Sequence, residues 1–197
     1  MGIEATRERI VDGAAALFAD VGIDEATVQD VLERAGVSRR TFYQYFDSKE
    51  QVLAAVYDRW VDGLVRAVAS TVDPTADPVS IVVAGLDAWI TYQQQTAPTA
   101  VRLMAEASRP TSLLHPRREA TIDALVATID AAVRQVVGAN VDPLVFRGLV
   151  LGAEGLSLHL AEHSRLDAER ARLRRVVGAS FLVILGHTGE LPDPPRS

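Results

Sequence analysis

The chain reads as all-α, a helix-turn-helix head followed by a larger helical body, on three observations. Apolar residues recur at spacings of three and four along most of its 197 residues, the period of a helix with one buried face. No segment alternates apolar and polar residues as a half-buried strand does. The breaks between apolar runs carry the side chains that start and stop helices. An apolar content of 48% fits a globular rather than a disordered chain, long enough for one large domain or two small ones. The absence of cysteine excludes disulfides, thiolate metal sites and cysteine nucleophiles. Met1 to Arg9 is charged and lacks the following apolar stretch of a secretory signal. The longest apolar runs are broken by Asp87 and Glu154, short of the roughly 18 residues a membrane span needs. A cytoplasmic protein without membrane attachment is the expectation. The net charge of −6 opposes indiscriminate DNA binding, so any nucleic-acid contact must come from a local face.

The first helix carries Ile10, Ala14, Leu17, Phe18 and Val21 on one face, and Gly22 follows where a left-handed residue ends a helix. Thr27 with Asp30 forms a capping pair for a second helix bearing Val28, Val31, Leu32 and Ala35, which Gly36 stops. Ser38 caps a short third helix containing Phe42 and Phe46, and Asp47 with Glu50 opens a fourth through Val52, Leu53, Val56 and Trp60. Thr71 to Pro78 is a connector, with Asp77 as cap and Pro78 as the first helical residue after it. Further helices are expected over 78–95, 98–109, 116–137, 143–162 and 165–186, the last two begun by Asp142-Pro143 and by Ser164 with Asp167. These elements divide the chain into a head with its linking helix over 4–64, a body over 65–190 and a proline-rich tail over 191–197. There is no internal repeat.

Two short helices joined at Gly36, Val37 and Ser38 are a helix-turn-helix candidate. Such a motif puts its second helix in the major groove, which requires an apolar inner face and long donors outside. Val37, Phe42 and Phe46 supply the first; Arg39, Arg40, Thr41, Tyr43, Gln44 and Tyr45 supply the second. Ser38 and the amides beside it make a helix N-terminus that favours phosphate, and Lys49 suits a phosphate point charge.

The stretch from Ile10 to Val56 resembles the DNA-binding domain of the tetracycline-repressor (TetR) family. The residues that carry the likeness are Ala15, Leu17, Phe18, Gly22, Thr27, Val28, Val31, then Ala35 to Ser38, Thr41 to Tyr43, Tyr45, Phe46, Lys49 and Glu50. The resemblance implies a repressor that binds double-stranded operator DNA as a homodimer and is released by a small-molecule effector. It implies backbone or phosphate contacts for Thr27, Ser38, Thr41, Tyr43, Tyr45 and Lys49, and base readout from Arg39, Arg40 and Gln44. Adjacent helical residues point about 100° apart, so one of the two arginines faces the bases and the other a phosphate.

The resemblance further implies a four-helix dimer interface from the last two helices. Val145, Leu149, Gly152, Leu156 and Leu160 form one apolar stripe, and Leu173, Val177, Phe181 and Leu185 another. A small, largely apolar effector is expected inside the body, lined by Trp89, Tyr92, Met104 and Phe146, with Gln93, Arg102 and His115 as polar anchors. Neither a cofactor nor a metal is expected.

Two sharper-looking signals are outweighed. His159 to His163 matches H-x-x-E-H, the pattern of inverted zinc peptidases. It is the basis of the rival reading, a helical enzyme or small-molecule carrier with zinc at His159 and His163. Of the two glutamates downstream that could be a third ligand, Glu169 is too near and Glu190 lies beside the tail. Arg170, Arg172, Arg174 and Arg175 form a charge run that reads as the solvated side of a helix.

Overall fold

The computed structural model describes residues 3–71, 73, 75–138, 141–184 and 186. Those residues form helices α1 (Ile3–Val21), α2 (Val28–Ala35), α3 (Arg39–Phe42), α4 (Lys49–Ala69), α5 (Pro78–Gln95), α6 (Ala97–Ala107), α7 (His115–Val137), α8 (Pro143–Glu162) and α9 (Leu166–Ile184). No strand occurs among the described residues. The expected tail and Leu185 lie outside them.

The contacts separate the chain into two compact units. The first takes the chain up to Gly63 together with Thr96–Arg118, and the second takes Leu64–Gln95 and the chain from Glu119 on. This differs from a simple division after residue 64. Leu103 and Ala107 of α6 and Leu114 beyond it are buried in the same cluster as Ile10, Phe18, Val31 and Phe42 of the first three helices. Apolar burial gathers them there, whatever their distance in sequence.

In the second unit α5 and α9 pack through Leu86, Ile90, Leu173 and Val177. Phe146 of α8 is buried with Ile122, Val126 and Val133 of α7. The arginine run does not lie wholly on the solvated side. Arg174 donates from Nε to Asp87 Oδ1 at 2.9 Å, with both side chains largely buried. Arg170 reaches Gln94 at 2.5 Å and Thr91 at 2.8 Å, while Arg172 and Arg175 are exposed. Positions 170 and 174, one turn apart, share the face that Leu173 and Val177 turn towards α5, so these guanidiniums follow the apolar stripe inward.

The helix ends follow local chemistry, with two shifts. Asp142 accepts from the Leu144 N–H at 2.9 Å and starts α8 as expected. The start of α4 moves by one residue: Gln51 donates its N–H to Ser48 Oγ at 3.3 Å, and its side chain accepts from the Asp47 N–H at 2.9 Å. Ser164 belongs to the end of α8 instead of the start of α9. It takes a left-handed φ of 54°, and the following Arg165 N–H returns to the Leu160 carbonyl at 2.7 Å, a helix-closing pattern.

By length and composition α8 is apolar enough to cross a membrane, against the expectation that no segment is. Arg147 within it pairs with Glu119 and Asp123 of α7.

Removing one partner of a buried ion pair leaves an uncompensated charge, whereas replacing both with apolar residues is often neutral or better. Asp87→Ala should therefore lower the unfolding free energy by about 3–5 kcal/mol in urea titration. The pair Asp87→Leu with Arg174→Met should recover most of that loss.

Candidate nucleic-acid interface

The head is assembled around two aromatic rings. Phe42 is fully buried and Phe46 nearly so, packed with Ile10, Leu17, Phe18, Val31 and Val52. Their rings lie 6.0 Å apart, within the range of favourable aromatic pairs. Gly13 lets α1 approach α2 closely, since a Cβ there would stand 3.0 Å from the Ala35 backbone nitrogen. Thr27 and Asp30 form the complete capping box, Thr27 Oγ1 accepting from the Asp30 N–H and the Asp30 carboxylate from the Thr27 N–H. Gly36 ends α2 with φ 62°, a left-handed conformation that suits glycine. The Val37 N–H then bonds back to the Leu32 carbonyl at 3.1 Å, and α3 starts two residues later.

The α3 helix is one turn long, shorter than the sequence through Phe46 suggested. Ser38 caps it, accepting from the Thr41 N–H at 3.1 Å, and the two hydroxyls lie 2.8 Å apart. After Phe42 the chain tightens: the Gln44 N–H bonds to the Thr41 carbonyl and the Tyr45 N–H to that of Phe42. With Phe42 and Phe46 held inside, Arg39, Arg40, Tyr43 and Gln44 are exposed, as are Thr27 and Ser38 at the two helix starts. Thr41 and Tyr45 are half-buried, and Tyr45 packs against the core. Tyr43 stands edge-on to Phe42, with centroids 5.3 Å apart.

The two arginines differ. Arg39 donates to Gln29 Oε1 of α2 at 3.3 Å, while Gln29 in turn donates to Glu33 at 2.9 Å. Arg40 is exposed and has no hydrogen-bond or ion-pair partner among the described residues.

Lys49 departs from the expected free point charge. Its ammonium donates to the carbonyls of Ile23 and Ala26, both at 2.8 Å, with Asp24 O at 3.4 Å. The loop between α1 and α2 presents these oxygens to the start of α4, and a phosphate would have to displace one of them. Arg9, which the sequence reading passed over, donates to the carbonyls of Ala35 and Gly36 at 3.1 and 3.0 Å and so steadies the turn before α3. Its sequence signal was slight, a lone cation beside the apolar stripe that begins at Ile10.

The other expected sites fare unevenly. Of the effector residues, Arg102, Met104 and His115 fall in the first unit, and Trp89, Tyr92, Gln93 and Phe146 in the second. Met104, Gln93 and Phe146 are buried, but Arg102 is exposed, which does not suit an interior anchor. His115 is half-buried with Nδ1 3.2 Å from the Ala107 carbonyl.

Along α8, Val145, Gly152 and Leu156 are exposed, together with Leu144, Gly148, Leu151 and Gly155. Leu149 is half-buried, and Leu160 packs on the core of its own unit. Leu173, Val177 and Phe181 must be reassigned: they belong to that core, against α5. Among the large apolar side chains described on α9, Val176 and Val183 are exposed. A helix with apolar residues on more than one face does not declare which of them turns inward.

The rings of His159 and His163 lie 4.5 Å apart. No group of three metal-ligating side chains occurs among the described residues, and Glu190 lies outside them.

Residues 10–56 match the family described as bacterial regulatory proteins, tetR family. Over 98% of its length the chain is 27% identical to the transcriptional regulator SrpR of Pseudomonas putida, covering 88% of that protein. It is 31% identical to the transcriptional repressor KstR2 of Mycobacterium tuberculosis, over 39% of this chain and 38% of that one. A tetR-family regulator from Streptomyces coelicolor superposes with a TM-score of 0.67 at 21% identity, over 94% of this chain and 87% of the other.

The Asp30 carboxyl is held below its ordinary value by the hydrogen bonds it accepts, from the Thr27 hydroxyl first and the Thr27 backbone second. A depressed carboxyl stabilises the fold above its unfolded pKa and stops doing so as pH falls through the folded one. The head should lose urea resistance on acidification below about pH 4. Asp30→Asn should flatten that part of the profile while leaving the remaining carboxylates to titrate.

Proposed function

We propose that the chain, whose residues 10–56 match the tetR family of bacterial regulatory proteins, is a cytoplasmic TetR-family repressor that binds operator DNA as a homodimer and releases it when a small, largely apolar effector binds. The observation that carries this reading is the outward face of the α3 segment. Arg39, Arg40, Tyr43 and Gln44 stand exposed above a buried Phe42, on an acidic chain that needs a local face to meet DNA. Arg40, without a protein partner among the described residues, is the base reader, and a bidentate arginine–guanine pair discriminates by about 1–3 kcal/mol. Arg39, leaning on Gln29, takes a phosphate. Thr27, Ser38, Thr41, Tyr43 and Tyr45 position the backbone, and Gln44 adds a second base contact.

The open face of α8 supports the homodimer. Leu144 is 70% exposed and Leu156 44%, and Gly148, Gly152 and Gly155 have empty space where a Cβ would stand. Glycines in a row let a second backbone approach, and a bare apolar surface on a regulator calls for a partner. Val145 and Leu149 flank this face, and Val176 and Val183 are exposed on α9. The effector site is assigned to the second unit, with Trp89, Tyr92, Gln93 and Phe146 as its residues. A ligand favouring the DNA-incompetent state by 1–3 kcal/mol lowers operator affinity about 5- to 150-fold, and DNA weakens the ligand equally. Repression is the sense favoured by the name of KstR2.

Random-site selection with the purified protein should return an imperfect palindrome whose half-sites lie about one helical turn apart. Arg40→Ala should lose preference at one base position in each half-site; a pool without sequence preference would refute DNA reading altogether. In sedimentation at micromolar concentration the wild type should be a dimer. Leu156→Arg should be a folded monomer, whereas Val177→Arg should lower stability in the subunit itself. A monomeric wild type would refute the assembly.

A further inference from the structure

We infer that Lys49 is a positioning residue of the DNA-binding head, holding the α1–α2 loop and the Thr27 cap in place through backbone carbonyls instead of serving as a phosphate contact. An ammonium has three donors. Here they meet Ile23 O and Ala26 O at 2.8 Å and Asp24 O at 3.4 Å. These acceptors lie between the end of α1 at Val21 and the start of α2 at Val28, where no helix ladder supplies donors to the backbone. Partly buried carbonyls need a partner, and the bonds to Ile23 and Ala26 are partly buried.

The location of the charge strengthens the case. Lys49 is the first residue of α4, the positive end of a helix dipole, where a cation is disfavoured. Convergent carbonyl acceptors account for a lysine at that position. Ala26 is almost fully buried and adjoins Thr27, whose N–H and hydroxyl both go to Asp30. Fixing the Ala26 carbonyl therefore fixes the approach to the α2 cap, and α2 carries Gln29, the partner of Arg39. Arg9 secures the other end of the same helix through Ala35 and Gly36.

The affinity part of the test rests on the DNA-binding reading; the part measured without DNA does not. Wild type, Lys49→Met and Lys49→Arg are compared on the selected operator over a range of salt. A lost phosphate contact flattens the plot of log affinity against log salt by about 0.9 per contact. A lost positioning contact weakens binding and leaves that slope alone. Lys49→Met should weaken binding to all sequences with the wild-type slope, lower the thermal midpoint and speed hydrogen exchange at the Ala26 to Val28 amides. Lys49→Arg keeps the charge, but a planar guanidinium does not match carbonyls gathered around a point ammonium; it should fail to rescue affinity or exchange.

A flattened slope, or affinity restored by arginine with exchange unchanged, would overturn the inference. Should Lys49→Met be too unstable to titrate, the arginine variant decides by the same criteria. If the wild type bound no operator, the functional reading would fall, and the exchange at Ala26 to Val28 would still decide the role of Lys49.

Discussion

A helix of one turn has no stability of its own, because nucleation fixes several residues for a single hydrogen bond. The α3 segment holds its shape because Phe42 is drawn completely into the head and Ser38 caps the turn in front of it. The rest of the head is arranged around that anchor. Phe46 continues the burial beyond the helix, Gly13 brings α1 close enough to α2 to close the pocket from the other side, and Gly36 turns the chain into it. Arg40 and Gln44, exposed on this segment, are consequently displayed by a backbone whose burial and capping they take no part in. Their identities can change without altering the scaffold, which is how one fold can address many sequences.

Features written in local chemistry could be read in advance. Thr27 with Asp30, Gly22, Gly36, Ser38, Asp77 and Asp142 act over two to four residues, and the structure uses each as its type and spacing suggest. Where two neighbouring sets of residues satisfy the same spacing, the pattern is ambiguous by one. Asp47 with Glu50 and Ser48 with Gln51 are equally separated; the Gln51 N–H goes to Ser48 Oγ, while the Gln51 side chain accepts from the Asp47 N–H.

Features that depend on a partner distant in sequence were not legible. Leu173, Val177 and Phe181 make a good stripe for either a core or an interface, and only the presence of α5 opposite decides for the core. Arg170 and Arg174 look like surface charges until Thr91, Gln94 and Asp87 are placed across from them. The membership of α6 in the first unit has the same origin. Composition shifts mark where a chain turns, but Leu103, Ala107 and Leu114 join whichever apolar surface they meet. Lys49 belongs here too, since no motif announces that a loop more than twenty residues upstream will present its carbonyls.

The three open glycines of α8 bear on how much protein the cell must hold. Each costs a helix interior about 1 kcal/mol relative to alanine, and they lie among the exposed Leu144, Leu151 and Leu156. In the proposed homodimer, contact with a second backbone offsets that cost and makes the stability of α8 a matter of mass action. Tenfold dilution removes about 1.4 kcal/mol from any bimolecular contact. A homodimer of the proposed kind would respond to its own abundance, firm when plentiful and loosened when scarce.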